Sequence, residues 1–224
     1  MTSIIEGLIR GDGRHASRKE MGFMLSFKAF LRSLIEIKWY IFASALLMIA
    51  GYAIGYQSNT LEQFLMGQLE ALKELQQQAS QSSNQELSFF ITIFYNNAIK
   101  SVLIMFAGII GGIIPAAFLL INGMVIGLLM RIMSEAGVDM TSLVVKGLLP
   151  HGILEIPAII IAAAFGLRFG ILVFQRMSSQ YRSNPLNLTI GLWSKKTAAA
   201  AVWITFILLI AAIIESTITF WLLS

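Results

Sequence analysis

The residues with the most chemistry in them sit in one apolar stretch, Leu149–Gly170, which reads LPHGILEIPAIIIAAAFGLRFG. It opens with Pro150, His151 and Gly152; Glu155 follows one helical turn later, and Pro157 comes just after. On a helix, the i, i+4 spacing sets His151 and Glu155 on one face and within reach of each other. An ionisable group inside a bilayer costs about 3 kcal/mol on insertion scales, so it usually faces protein or water and marks a working site. A helix broken at Pro150–Gly152 would free backbone groups beside the two side chains, the arrangement with which transporters hold an ion or a polar ligand. Asn96, Asn97, Asn122 and Glu215 are the other polar groups expected within apolar chain, and they complete a candidate intramembrane polar site. The competing reading is architectural, with His151 and Glu155 satisfying each other and each asparagine making an interhelical hydrogen bond.

Covalent or metal-assisted catalysis finds little support in the residue set. There is no cysteine, which excludes thiol nucleophiles, thiolate metal sites and disulfides. No H-E-x-x-H, G-x-S-x-G or P-loop pattern occurs, and the second histidine, His15, lies in the N-terminal tail. A zinc ion held by His151 and Glu155 would lack a third ligand. The expectation is a protein that is not an enzyme and needs no cofactor or metal.

The chain around this stretch is 57% hydrophobic and only 12% charged, which points to a polytopic membrane protein. Residues 1–16 read as a loose basic tail, and the first 36 residues lack the uninterrupted apolar core expected of a cleavable signal. Ser17 with Glu20 suggests a capping box, and Phe23, Phe27, Phe30, Leu31 and Leu34 fall opposite Lys28, Arg32 and Glu36. This predicts an amphipathic helix in the headgroup layer, so that 1–36 forms a cytoplasmic tail and interfacial helix ahead of one transmembrane domain, 37–224. The first span is placed at 37–56, bracketed by Trp39, Tyr40, Tyr52 and Tyr56. An external insert, 57–96, follows. Thr60-x-x-Gln63 caps a helix carrying Leu61, Leu65, Leu69, Leu72 and Leu75, the Gln/Ser-rich run 76–85 reads as a linker, and Ser83-x-x-Glu86 starts a second helix.

From Ser101 to Met130 there is no charge, and about 45 Å of continuous helix is too long for one upright span. Gly111, Gly112 and Pro115 supply a break, so spans are placed at 97–114 and 115–133 with a tight or partly re-entrant link. The fourth span is placed at 148–174, a basic cytoplasmic loop at 175–197, and the fifth span at 198–223. Residues 1–38 hold seven Lys or Arg and 175–197 hold four, whereas 57–96 holds one base against four acids. Lys/Arg excess marks the cytoplasmic side, so the N-terminus is expected inside, the insert and the C-terminus outside. Arg168 can then snorkel toward the cytoplasmic face.

Four small-xxx-small pairs, Gly51/Gly55, Gly108/Gly112, Gly123/Gly127 and Gly166/Gly170, allow close backbone approach. They serve either packing within one subunit or a homodimer face.

In order along the chain, several of these features resemble the SpoIIM family, stage II sporulation protein M and its relatives, polytopic proteins of bacteria and archaea. They are Asn96-Asn97, the Gly-rich run to Pro115, Asn122-Gly123 with Gly127, Leu149-Pro150-His151-Gly152 with Glu155 and Pro157, Ala164 through Gly170, and Ile214-Glu215. The likeness runs over about residues 35–224, and its most specific part is LPHG-x-x-E with the glycine run that follows. The resemblance implies an all-α, five-span bundle with an amphipathic insert after the first span. For sporulating members it also implies a membrane scaffold that recruits peptidoglycan-degrading partners. The expected protein is therefore a scaffold in a bacterial or archaeal cytoplasmic membrane, binding lipid and protein partners and no nucleic acid. The alternative is a transporter or channel-like protein using the His/Glu site.

Overall fold

Every described element is a helix. The computed structural model describes residues 24–58, 62–81, 84–142, 144–145, 149–177, 186–214 and 216, and no strand occurs among them. The helices are α1 (Phe27–Glu36), α2 (Lys38–Gln57), α3 (Glu62–Ser80), α4 (Gln85–Ala107), α5 (Ile113–Glu135), the single turn α6 (Met140–Ser142), α7 (Leu149–Met177) and α8 (Leu186–Ile214). Five are long and apolar enough to cross a membrane: α2, α4 from Leu87, α5, α7 from Gly152, and α8 from Ile190. The all-α, five-helix expectation is met.

Glycine seams decide which helices touch. A methyl group added at Gly55 would overlap the Met124 carbonyl oxygen, and one at Gly127 the Tyr52 carbonyl oxygen. Gly51 and Gly123 are equally closed, by Leu120 and Met48. The first and third small-xxx-small pairs therefore face one another, and α2 lies on α5 backbone to backbone. The second and fourth do the same between α4 and α7, with Gly108 against Gly166 and Gly170 against Gly112. Without a hydrophobic drive between helices in lipid, dispersion across such close contacts is what holds them. All four pairs are used inside one chain. Between the seams, Phe165, Met105, Ile204, Leu208 and a run of alanines form the largest buried cluster, with Phe165 stacked on Trp193 at 5.4 Å.

Several boundaries differ from the sequence reading. The break between the second and third spans is Gly108–Gly112, not Ile114/Pro115, because Gly111 and Gly112 adopt φ of 64° and 77°, which other residues avoid. The spans thus end at Ala107 and start at Ile113, joined by a tight turn. Pro115 is the third residue of α5 and Pro150 the second of α7. In a first turn the missing N–H has no partner to lose, so both prolines start helices instead of breaking them. Gly152 and Pro157 lie within the unbroken α7. The last helix begins twelve residues before the expected fifth span, since α8 starts at Leu186 and carries Lys195 and Lys196 on helix; the loop at 175–197 is correspondingly shorter. In the insert, α3 runs on to Ser80, into the first half of the predicted linker, because glutamine is a good helix former. Asn84 rather than Ser83 caps α4, accepting from the Leu87 N–H at 3.1 Å.

The N-terminal helix also departs from expectation. It is interrupted at Leu25–Ser26, and Ser26 caps α1 by accepting from the Ala29 N–H. Ser17, Glu20 and Phe23 lie outside the described residues. α1 packs on α8: Glu36 meets Lys196 at 2.6 Å, while Phe27 and Phe30 pack on Trp203. Lys196 and Trp203 are seven residues apart, about 10 Å along α8. The interruption leaves the Leu25 carbonyl free, and Trp203 Nε1 donates to it at 2.9 Å.

Candidate functional site

Polar groups gather at the two ends of the bundle, not at its middle. At the insert end, Glu155 lies six residues from the start of α7, about 9 Å in. Its carboxylate is half-buried, and the charge acting on it is the Lys100 ammonium of α4. Lys100 was not singled out from the sequence, although a signal existed: it is the lone base between Lys73 and Arg131, and Glu155 the lone acid between Asp139 and Glu215. Two isolated opposite charges in apolar helices lower each other's desolvation cost by approaching.

Apart from His151, the remaining candidates lie on three further stretches of the chain. Asn96 and Asn97 are half-buried on α4, with Asn96 one turn from Lys100. Asn122 Nδ2 donates to the Phe118 carbonyl at 2.8 Å, one turn back on α5, so it neither bridges helices nor joins Glu155 in this structure. His151 is in the first turn of α7 with its side chain outside the described residues, and Glu215 lies outside them altogether. Among the described residues no three His, Cys, Asp or Glu side chains cluster at metal-binding range.

A second constellation at the insert end escaped sequence reasoning. Arg131, near the end of α5, donates to the Glu62 carboxylate of α3 at 2.9 Å, and its guanidinium lies 3.5 Å from the Ser58 carbonyl that ends α2. Glu135 stands 4.0 Å from Nε of the same guanidinium. One turn deeper, Leu65 and Leu69 of α3 are buried against Leu128 and its neighbours Met124, Val125 and Ile132. The insert helix is thus fastened to the bundle by an ion pair over an apolar patch. Leu61, Leu72 and Leu75, expected on the same face, have side chains outside the described residues.

At the opposite end the bases collect. Arg168 of α7 donates to the Tyr40 hydroxyl at 3.1 Å and lies over the Tyr40 and Trp193 rings. Lys196 sits over the other side of the same region, 6.0 Å from the Trp193 ring, while pairing with Glu36. These cation–π contacts hold both cations against the Tyr40 and Trp193 rings at the bundle end.

The chain matches the family described as SpoIIM, stage II sporulation protein M, over residues 30–220. The chain belongs to the SpoIIM family. The SpoIIM match takes in α3 and all five apolar helices, and with them the Lys100–Glu155 pair and the Arg131–Glu62 fastening. No curated protein and no solved structure matches the chain.

Proposed function

We propose that this SpoIIM-family protein is a non-enzymatic scaffold of a bacterial or archaeal cytoplasmic membrane, with α3 as the external surface on which protein partners dock. The observation that carries this reading is the mounting of α3. Its Leu65/Leu69 side is clamped to α5, while Phe64 and Met66 are exposed among Gln63, Gln68 and Glu70. Large apolar side chains held outward on a fixed helix are anchors of the kind that concentrate binding energy. The charge asymmetry supports the orientation, with the N-terminus inside and the C-terminus outside. Because the four glycine pairs pack within the chain, a homodimer would form through another surface. Its partners are lipid and protein, not nucleic acid.

The test is crosslinking in cells, then co-purification in native lipid discs. Phe64→Ser with Met66→Ser should lose the captured protein at least tenfold, while Glu155→Gln retains it. Full retention by the α3 double variant would remove docking through this helix.

One observation favours a second reading, a conduit for a small ion or polar solute: a Lys and a Glu interact within apolar helices. The unbroken start of α7 speaks against the broken-helix form of that mechanism. On the scaffold reading, proteoliposomes should leak ions no faster than empty vesicles from pH 5 to 8, and Glu155→Gln should change nothing. Protein-dependent flux abolished by Glu155→Gln would favour the conduit.

A further inference from the structure

The basic end carries a groove that the scaffold reading does not use. It opens between α2, the start of α5 and α7, has a volume of about 470 Å³, and is lined by Trp39, Tyr40, Ala43, Ala116, Leu167 and Ile171. The size falls within the ~300–1,000 Å³ range of ligand sites. The lining is apolar except at its rim, and there both polar groups are tied to cations. Lys38 Nζ lies 5.7 Å from the centre of the Trp39 ring, and Arg168 donates to the Tyr40 hydroxyl while covering its ring. Among the described residues neither Lys38 nor Arg168 meets a carboxylate, whereas the neighbouring Lys196 is neutralised by Glu36.

An apolar trough at the end of a spanning bundle, whose lining aromatics Trp39 and Tyr40 carry two cations with no acidic partner among the described residues, matches a molecule with one hydrocarbon end and one anionic end. We propose that this groove holds one anionic phospholipid of the surrounding leaflet, its acyl chain along Ala43, Ala116 and Ile171 and its phosphate between Arg168 and Lys38. Charge-assisted hydrogen bonds from the guanidinium and ammonium select the anionic headgroup, and the trough selects a chain-bearing molecule over free phosphate. Arg168 is preorganised for this role, because Tyr40 and Trp193 hold its plane at the rim.

Native mass spectrometry of the full chain, released from micelles doped with equal phosphatidylglycerol and phosphatidylcholine, tests the site. The wild type should retain one phosphatidylglycerol in preference to phosphatidylcholine. Arg168→Gln should weaken that retention about tenfold, the worth of one charge-assisted contact. Lys38→Gln, at an exposed position, should weaken it by a smaller factor. Ala43→Trp fills the trough from its exposed edge and should abolish the adduct while both cations remain; circular dichroism confirms that the variants are folded. Equal retention of the two lipids, or phosphatidylglycerol retention unchanged in Ala43→Trp and Arg168→Gln, would overturn the proposal. Competition by inorganic phosphate that removes the adduct would overturn it too, since the chain would then contribute nothing.

Discussion

Gly55→Leu should unfold the protein under conditions in which the wild type is intact. The Cβ alone would overlap the Met124 carbonyl, and the atoms in the way are backbone on both helices, so no rotamer change relieves the clash. Overpacking a close interface costs typically 1–3 kcal/mol, and two rigid backbones put this case at about 3 or more. That is a large part of the about 5–15 kcal/mol that stabilises a typical domain. The contrast is Gly67→Ala on α3, where an added methyl meets nothing within 4 Å. There the helix should gain up to about 1 kcal/mol from propensity alone. Titration with SDS in mixed micelles, followed by tryptophan fluorescence, separates the two. If Gly55→Leu and wild type share a midpoint, α2 and α5 do not meet backbone to backbone.

Arg131→Ala should release the insert helix while leaving the bundle standing. The substitution removes the ion pair to Glu62, the contact with the Ser58 carbonyl and the approach to Glu135 together. The Arg131 side chain is only 11% exposed, but Glu62 is 43% exposed, so solvent recovers part of the loss. A charged hydrogen bond contributes about 1.5–3 kcal/mol, and the lower end applies here. About 1.5 kcal/mol of local stability corresponds to roughly tenfold faster amide exchange in α3, with the Ala162–Phe169 stretch of α7 unchanged. On the scaffold reading the same variant weakens partner capture, because Phe64 and Met66 lose their fixed presentation. Unchanged exchange across residues 62–71 would mean that Leu65 and Leu69 hold the helix without the ion pair.

Single-helix properties could be read from the sequence, and pairings between helices could not. Glycine spacing identified all four pairs, because a small-xxx-small pair can be read from one segment alone. Which pair faces which is a tertiary fact, and Gly51/Gly55 meets a pair about 70 residues away. The same distinction governed the polar site. Spacing made His151 the natural companion of Glu155, since i, i+4 neighbours share a face, whereas the influence of the Lys100 charge comes from another helix and no spacing within α7 announces it. Charges also blurred the boundaries. Lys195 and Lys196 looked like loop because lysine is rare in spans, yet on α8 Lys196 finds Glu36 and the Trp193 ring. The proline motif misled for a related reason: its residue types fit both a broken helix and a helix start, and only position within the element tells them apart.

The two seams differ in how they must come together during synthesis. α4 and α5 are joined by the turn Gly108–Gly112, so they reach the bilayer as one hairpin. α2, by contrast, emerges with its Gly51/Gly55 face open, and its partner glycines at 123 and 127 are both made only once 72 more residues beyond Gly55 have been added. At ~5–20 residues per second that interval is on the order of 4–14 s. During it, the unpaired face of α2 meets only lipid or another nascent chain. The order of the helices therefore builds in a period of exposure to exchange between neighbouring copies, which ends when α5 arrives to close the seam.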